Sequence, residues 1–175
     1  MKRIILITGG QRSGKSMYAE QLALSMTSHP IYLATAHIWD DEFRRRVARH
    51  QERRGSNWTN IEEEKYLSQH NICNKVCVID CITLWCTNFF YDKDRKVSEQ
   101  PSVDDALRSI EEEFDKFTNQ EATFIFVTNE IGSGGVSDNA IQRRFTDMEG
   151  WMNQYVASKA DEVILMVSGI PVKIK

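Results

Sequence analysis

The octapeptide GGQRSGKS (9–16) follows the apolar run RIILIT (3–8) and leads into a segment of helical pattern. It fits G-x-x-x-x-G-K-[ST] with no departures and in the strand–turn–helix context that the motif requires. Glycines let successive backbone N–H groups turn inward around phosphate oxygens without a clashing Cβ. The start of the helix adds its partial positive charge. In such a loop Lys15 reaches the β/γ-phosphates of a nucleoside triphosphate, and the Ser16 hydroxyl ligates Mg²⁺. A chain built this way must bring a buried strand and a helix together at one edge of a sheet.

The rest of the chain reads in the same rhythm. PIYLAT (30–35), KVCVID (75–80), TFIFVT (123–128) and DEVILMV (161–167) are further apolar strand candidates, and PVKIK (171–175) closes as a short strand. Helical patterns cover 15–26, 40–54, 102–118 and 139–159, with Val103, Leu107, Ile110 and Phe114 on one stripe of the third. Uniformly apolar strands alternating with helices predict an α/β fold, P-loop NTPase-like, whose mostly parallel sheet carries helices on both faces. One domain is expected over 1–175, with DKDRKVSEQP (92–101) as a surface loop.

A net charge of −3 argues against bulk nucleic-acid binding, so any basic patch must be local. No stretch has the length of a membrane span and none near the start reads as a signal peptide, so a cytoplasmic location is expected. Cys73, Cys77, Cys81 and Cys86 fall close together, but not as the C-x-x-C pairs that zinc favours. They read as unpaired thiols, Cys77 as a small hydrophobe within a strand.

Two further features carry chemistry. Asp80 ends KVCVID, at the carboxyl edge where ligands of open α/β sheets bind, and suits the magnesium shell. Its alternative is a helix cap for a segment starting near Thr83. VARHQERR (47–54) sets His50 among arginines. On a helix over 40–54, Phe43, Val47, His50 and Arg54 share one face, so His50 points toward protein or across a cleft. Nearby cations disfavour imidazolium, which leaves a neutral, nucleophilic ring, and arginines can neutralise phosphate charge in an in-line attack. The alternatives are a solvated basic helix, or a half-buried histidine completing an apolar stripe. His29 and His70 read as turn or loop residues, and His37 follows LATA without support for a phosphate contact. The glycine-rich loop 132–135, after Asn129-Glu130, could cover a substrate or simply turn the chain.

Taken together, GGQRSGKS, LATA (33–36), the DDEF…RH…RR…W pattern (40–58), VTNEIGSGGV (127–136) and VSGIPVKIK (167–175) resemble the adenosylcobinamide kinase/adenosylcobinamide-phosphate guanylyltransferase family, in order and over essentially the whole chain. The resemblance implies two reactions. A nucleoside triphosphate, ATP or GTP, phosphorylates adenosylcobinamide. GTP then donates GMP to that phosphate through a covalent bond to a histidine matched by His50. It implies GTP contacts at Gly9, Gly10, Gln11, Arg12, Ser13, Gly14, Lys15 and Ser16 in the loop. Further contacts would be Ala34, Thr35, Ala36, Gln51, Glu52, Arg53, Arg54, Glu62 and Asp80. Ser16 and Asp80 would serve Mg²⁺, the corrinoid would be the partner molecule, and a homo-oligomer, such as a trimer, is implied. This chain departs from the family at Arg49-His50, where two histidines are frequent, and at Gly55, where proline is frequent. From the residues alone, a plain P-loop small-molecule kinase and a regulatory nucleotide-binding module stay open beside this reading.

Overall fold

The structure is a computed structural model that describes residues 1–37, 45, 54–91 and 100–175. Its axis is β1 (Arg3–Thr8), which is apolar at successive positions: Ile4 and Leu6 enter one core, Ile5 and Ile7 the other. Side chains alternate across a strand, so such a sequence is satisfied only by cover on both faces. After β1 come α1 (Lys15–Met26), β2 (Ile31–Ala34), β3 (Thr59–Glu62), β4 (Val76–Asp80), α2 (Ile82–Phe90) and α3 (Val103–Phe117). β5 (Thr123–Val127), α4 (Ala140–Lys159), β6 (Glu162–Val167) and β7 (Ile170–Lys173) complete the chain.

The strands form one sheet in the order β3-β2-β4-β5-β1-β6-β7. Every pairing is parallel except the β6–β7 hairpin. One face is covered by α1, where Ala19 and Ala23 pack with Ile5, Ile7, Val78 and Ile125. The other is covered by α2, α3 and α4, whose Trp85, Ile110, Phe114, Met152 and Val156 pack with Ile4, Leu6, Phe124 and Phe126. The fold is therefore the expected one. No helix among the described residues is long and apolar enough to cross a membrane.

Differences from the sequence expectation have local causes. β3, TNIE, was not expected as a strand: it is an edge strand exposed along most of its length, pairs among the described residues only with β2, and lacks an apolar run. α2, read only as a segment starting near Thr83, begins at Ile82. The helix expected over 40–54 and the loop expected over 92–101 lie largely outside the described residues, although Arg45 and Arg54 are helical.

Caps fix the helices that hold the second core. The Ser102 hydroxyl accepts from Asp105 N (3.1 Å), and the Asn139 side chain accepts from Ile141 N (2.8 Å) and Gln142 N (3.1 Å). Phe114 is fully buried, with its ring centroid 5.1 Å from Phe126 and 5.9 Å from Tyr155. Phe114→Ala should therefore destabilise the chain by about 3–5 kcal/mol. A fall in the urea midpoint at unchanged slope measures it; a loss below about 1 kcal/mol would mean that this cluster collapses without cost.

Candidate active site

Because six of the seven strands run parallel, their carboxyl ends meet at one edge. Ala34 registers with Asp80, Asp80 with Val127, and Val127 with Ile7. The glycine loop rises there from β1. Gly9 has φ +143°, and a Cβ at this position would stand 2.5 Å from the Met166 carbonyl oxygen. Gly14, at φ +97°, is the left-handed residue that opens α1. The β6–β7 turn braces the loop through Gly169 N, which donates to the Ser13 carbonyl at 2.9 Å. The Ser13 hydroxyl is buried with no hydrogen-bond partner among the described residues. A bound phosphate would supply an acceptor at such a cradle.

Lys15 is 7% exposed, and its ammonium donates to the Gly10 carbonyl at 2.7 Å. Burial lowers its pKa below that of a free lysine, opposed by Cys81, Asp80 and Glu149. Ser16, in the first turn of α1, and Asp80, at the end of β4, are half-buried. A hydroxyl and a carboxylate beside a phosphate cradle form the hard-oxygen donor set of a magnesium–nucleotide site, so these residues fit that group.

The remaining expected residues divide. Thr35 is fully buried as a brace: its hydroxyl donates to the Cys81 carbonyl (2.7 Å) and accepts from Cys81 N (2.9 Å). The Thr35 carbonyl accepts from Asn88 Nδ2 at 2.7 Å. Ala34 and Ala36 are half-buried beside it, and Glu62 is exposed at the end of β3. Arg54, expected as a phosphate contact, has its guanidinium turned into the interior. It donates from Nε to Asn60 Oδ1 (3.0 Å), lies 3.5 Å from the Tyr32 ring centroid, and sits 3.8 Å from Glu20. His50, Gln51, Glu52 and Arg53 lie outside the described residues. His37 pairs with Glu64 (2.6 Å), and Glu130 accepts from Gly132 N and Ser133 N, closing the glycine-rich loop as a turn. Cys77, Cys81 and Cys86 are buried and Cys73 is exposed. Burial pushes the Cys81 thiol up to about 12 and raises the Cys77 and Cys86 thiols strongly, so these three stay protonated near neutrality.

The sequence reading missed Glu149. It is fully buried on α4 among Met148, Met152 and Val156, the apolar stripe that was the available signal. Burial raises its pKa to about 7, with the Thr83 hydroxyl opposing, Glu130 adding to the rise, and Lys15 opposing. A cavity of about 420 Å³ opens beside it, with Thr8, Glu130, Thr146 and Asn153 among its walls. Thr83, Asn129 and Asn153 form a hydrogen-bonded cluster that no local motif announces.

Glu149 has a sign-definite consequence. Its folded pKa lies above the ordinary value of 4.5, so proton binding favours the folded chain. That contribution is fully present below the ordinary value and is lost as pH rises through about 7. Glu149→Gln should melt with the wild type at low pH and several degrees above it at pH ~8. Parallel melting curves across the whole range would show that the carboxyl is ionised in the folded chain at no cost.

A model of the family described as cobinamide kinase / cobinamide phosphate guanyltransferase matches residues 5–174. The bifunctional adenosylcobalamin biosynthesis protein CobU of Escherichia coli (strain K12) is 36% identical, over 98% of this chain and 99% of that protein. The bifunctional adenosylcobalamin biosynthesis protein CobP of Pseudomonas aeruginosa is 34% identical, over 97% and 96%. Among solved structures, a prototypical ATPase from the type III secretion system of pathogenic bacteria superposes with a TM-score of 0.55 at 15% identity. That match covers 94% of this chain and 52% of the ATPase, and it shows a shared fold alone. With the phosphate loop, Asp80 and the parallel sheet in their expected places, and relatives matched over nearly their whole length, the chain belongs to the cobinamide kinase / cobinamide phosphate guanyltransferase family.

Proposed function

We propose that this chain phosphorylates adenosylcobinamide with a nucleoside triphosphate and then transfers GMP from GTP to the new phosphate through a covalent bond to His50. The observation that carries the reading is the meeting of Lys15, Ser16 and Asp80 at one sheet edge, in a chain that its family matches from residue 5 to 174.

In the kinase step the loop N–H groups and the partly desolvated Lys15 ammonium hold the β/γ-phosphates in line with the acceptor hydroxyl. Ser16 and Asp80 would hold Mg²⁺, which supplies neutralisation of phosphate charge when bound. In the second reaction a neutral His50 nitrogen attacks the α-phosphorus of GTP. A P–N bond forms, the bond from that phosphorus to the bridging oxygen breaks, and pyrophosphate leaves with its electron pair. A phosphate oxygen of adenosylcobinamide phosphate then attacks the same phosphorus and returns His50 to its free form. The product is adenosyl-GDP-cobinamide. Splitting one transfer into two displacements is what a covalent nucleophile contributes. Arg53 and its neighbours supply positive charge, and Arg54 contributes from the interior.

The decisive test uses GTP labelled at the α- or γ-phosphate. Wild-type protein should retain α-label after denaturation in an acid-labile, alkali-stable bond. His50→Asn should fold, lose that adduct and guanylyl transfer, and keep part of the kinase activity. Lys15→Ala should lose both reactions by orders of magnitude, since both use a triphosphate. Kinase turnover without any α-label adduct would instead establish a simple kinase, and an adduct persisting in His50→Asn would move the nucleophile elsewhere.

A further inference from the structure

Tyr32 stands between the end of β4 and the interior arginine. It registers with Val78 on the neighbouring strand, and its hydroxyl reaches two residues further to donate to Asp80 Oδ2 at 2.6 Å. The side chain is 4% exposed. The ring is itself clamped. Trp58 meets it edge-on at 6.0 Å, and the Arg54 guanidinium lies 3.5 Å from its centroid. Arg54 is held by Asn60 and by Glu20, which lies one turn beyond Ser16 on α1. A continuous set of contacts thus runs from the phosphate-loop helix to the carboxylate at the end of β4.

We propose that Tyr32 is a positioning residue that fixes the orientation of Asp80 for a magnesium ion, its ring held in turn by Arg54 and Glu20. The inference rests on the reading of Asp80 as the magnesium carboxylate. A carboxylate at the end of a strand has two oxygens and free rotation about its last bond. With Oδ2 occupied by a buried donor, Oδ1 is the oxygen left to serve a magnesium ion. Partners behind a metal-binding group typically change metal affinity by about 10–100-fold when removed. The competing account is a tyrosine hydroxyl that merely needs a buried acceptor. That account predicts a change in stability and none in the response to magnesium.

The test titrates MgCl₂ into full-length protein with a fluorescent GTP analogue and reads the magnesium concentration at half-maximal binding. Tyr32→Phe keeps the ring under Arg54 and removes only the hydroxyl. It is expected to raise that midpoint by about tenfold, with unchanged affinity for the analogue in EDTA. Asp80→Asn is run beside it. A shifted midpoint in Asp80→Asn with a wild-type midpoint in Tyr32→Phe overturns the positioning of Asp80 by Tyr32 and leaves the site reading intact. A wild-type midpoint in Asp80→Asn overturns the magnesium reading, and the inference with it. Should Tyr32→Phe melt below the assay temperature, Arg54→Lys replaces it, since it keeps a charge for Glu20 but loses the flat stack on the ring. The same direction of shift is expected there, and no shift overturns the proposal.

Discussion

A β-carbon on residue 9 would stand 2.5 Å from the Met166 carbonyl oxygen, so the loop closes against β6 only because that residue is glycine. Much of the site depends on this close approach. With the loop seated, Gly169 N reaches the Ser13 carbonyl, and Glu130 N reaches the Gly9 carbonyl at 3.1 Å. The segment after β5 and the β6–β7 turn are thereby tied to the same few residues. Gly14 then turns the chain into α1 and sets Lys15 and Ser16 at the helix start. A cradle tied to several strands resists displacement better than one resting on its own hairpin.

Around that cradle the electrostatics follow from exclusion of water. Lys15 is a cation in a site that disfavours charge, with Asp80 and Glu149 opposing the loss of its proton. Glu149 is more completely buried, and burial raises its pKa to about 7. Two opposite groups in one dry site strengthen each other's charged form, and a triphosphate entering there meets a cation with few water molecules to shed. The proposed histidine step uses the same triphosphate, so one loop serves two transfers that differ in which phosphorus is attacked.

How far the chain could be read in advance depended on whether a signal was local. β1, β4, β5 and β6 were legible because buried parallel strands are apolar at nearly every position. β3 was illegible because an edge strand exposed along its length needs no apolar run. The place of Asp80 at the carboxyl edge was legible because it ends KVCVID. Arg54 was legible in part: the helical face that grouped it with Phe43 and Val47 turned toward protein, and it is buried, but its contact with Glu20 joins distant segments. Thr35, expected as a nucleotide contact, is a fully buried brace whose partners lie 46 and 53 residues away.

By itself the sequence determined the phosphate loop, the parallel α/β architecture and the family, because each is written in short-range order: residue spacing, glycine position, and a two- or 3.6-residue period. Only the tertiary structure decided that Tyr32 holds Asp80, that Arg54 and Glu20 meet in the interior, and that Glu149 is a buried carboxyl within electrostatic reach of Lys15. Tyr32 and Asp80 are 48 residues apart and meet through the register of β2 on β4. Burial and partner distance depend on such registers between distant segments, and a local pattern holds no information about which distant group arrives.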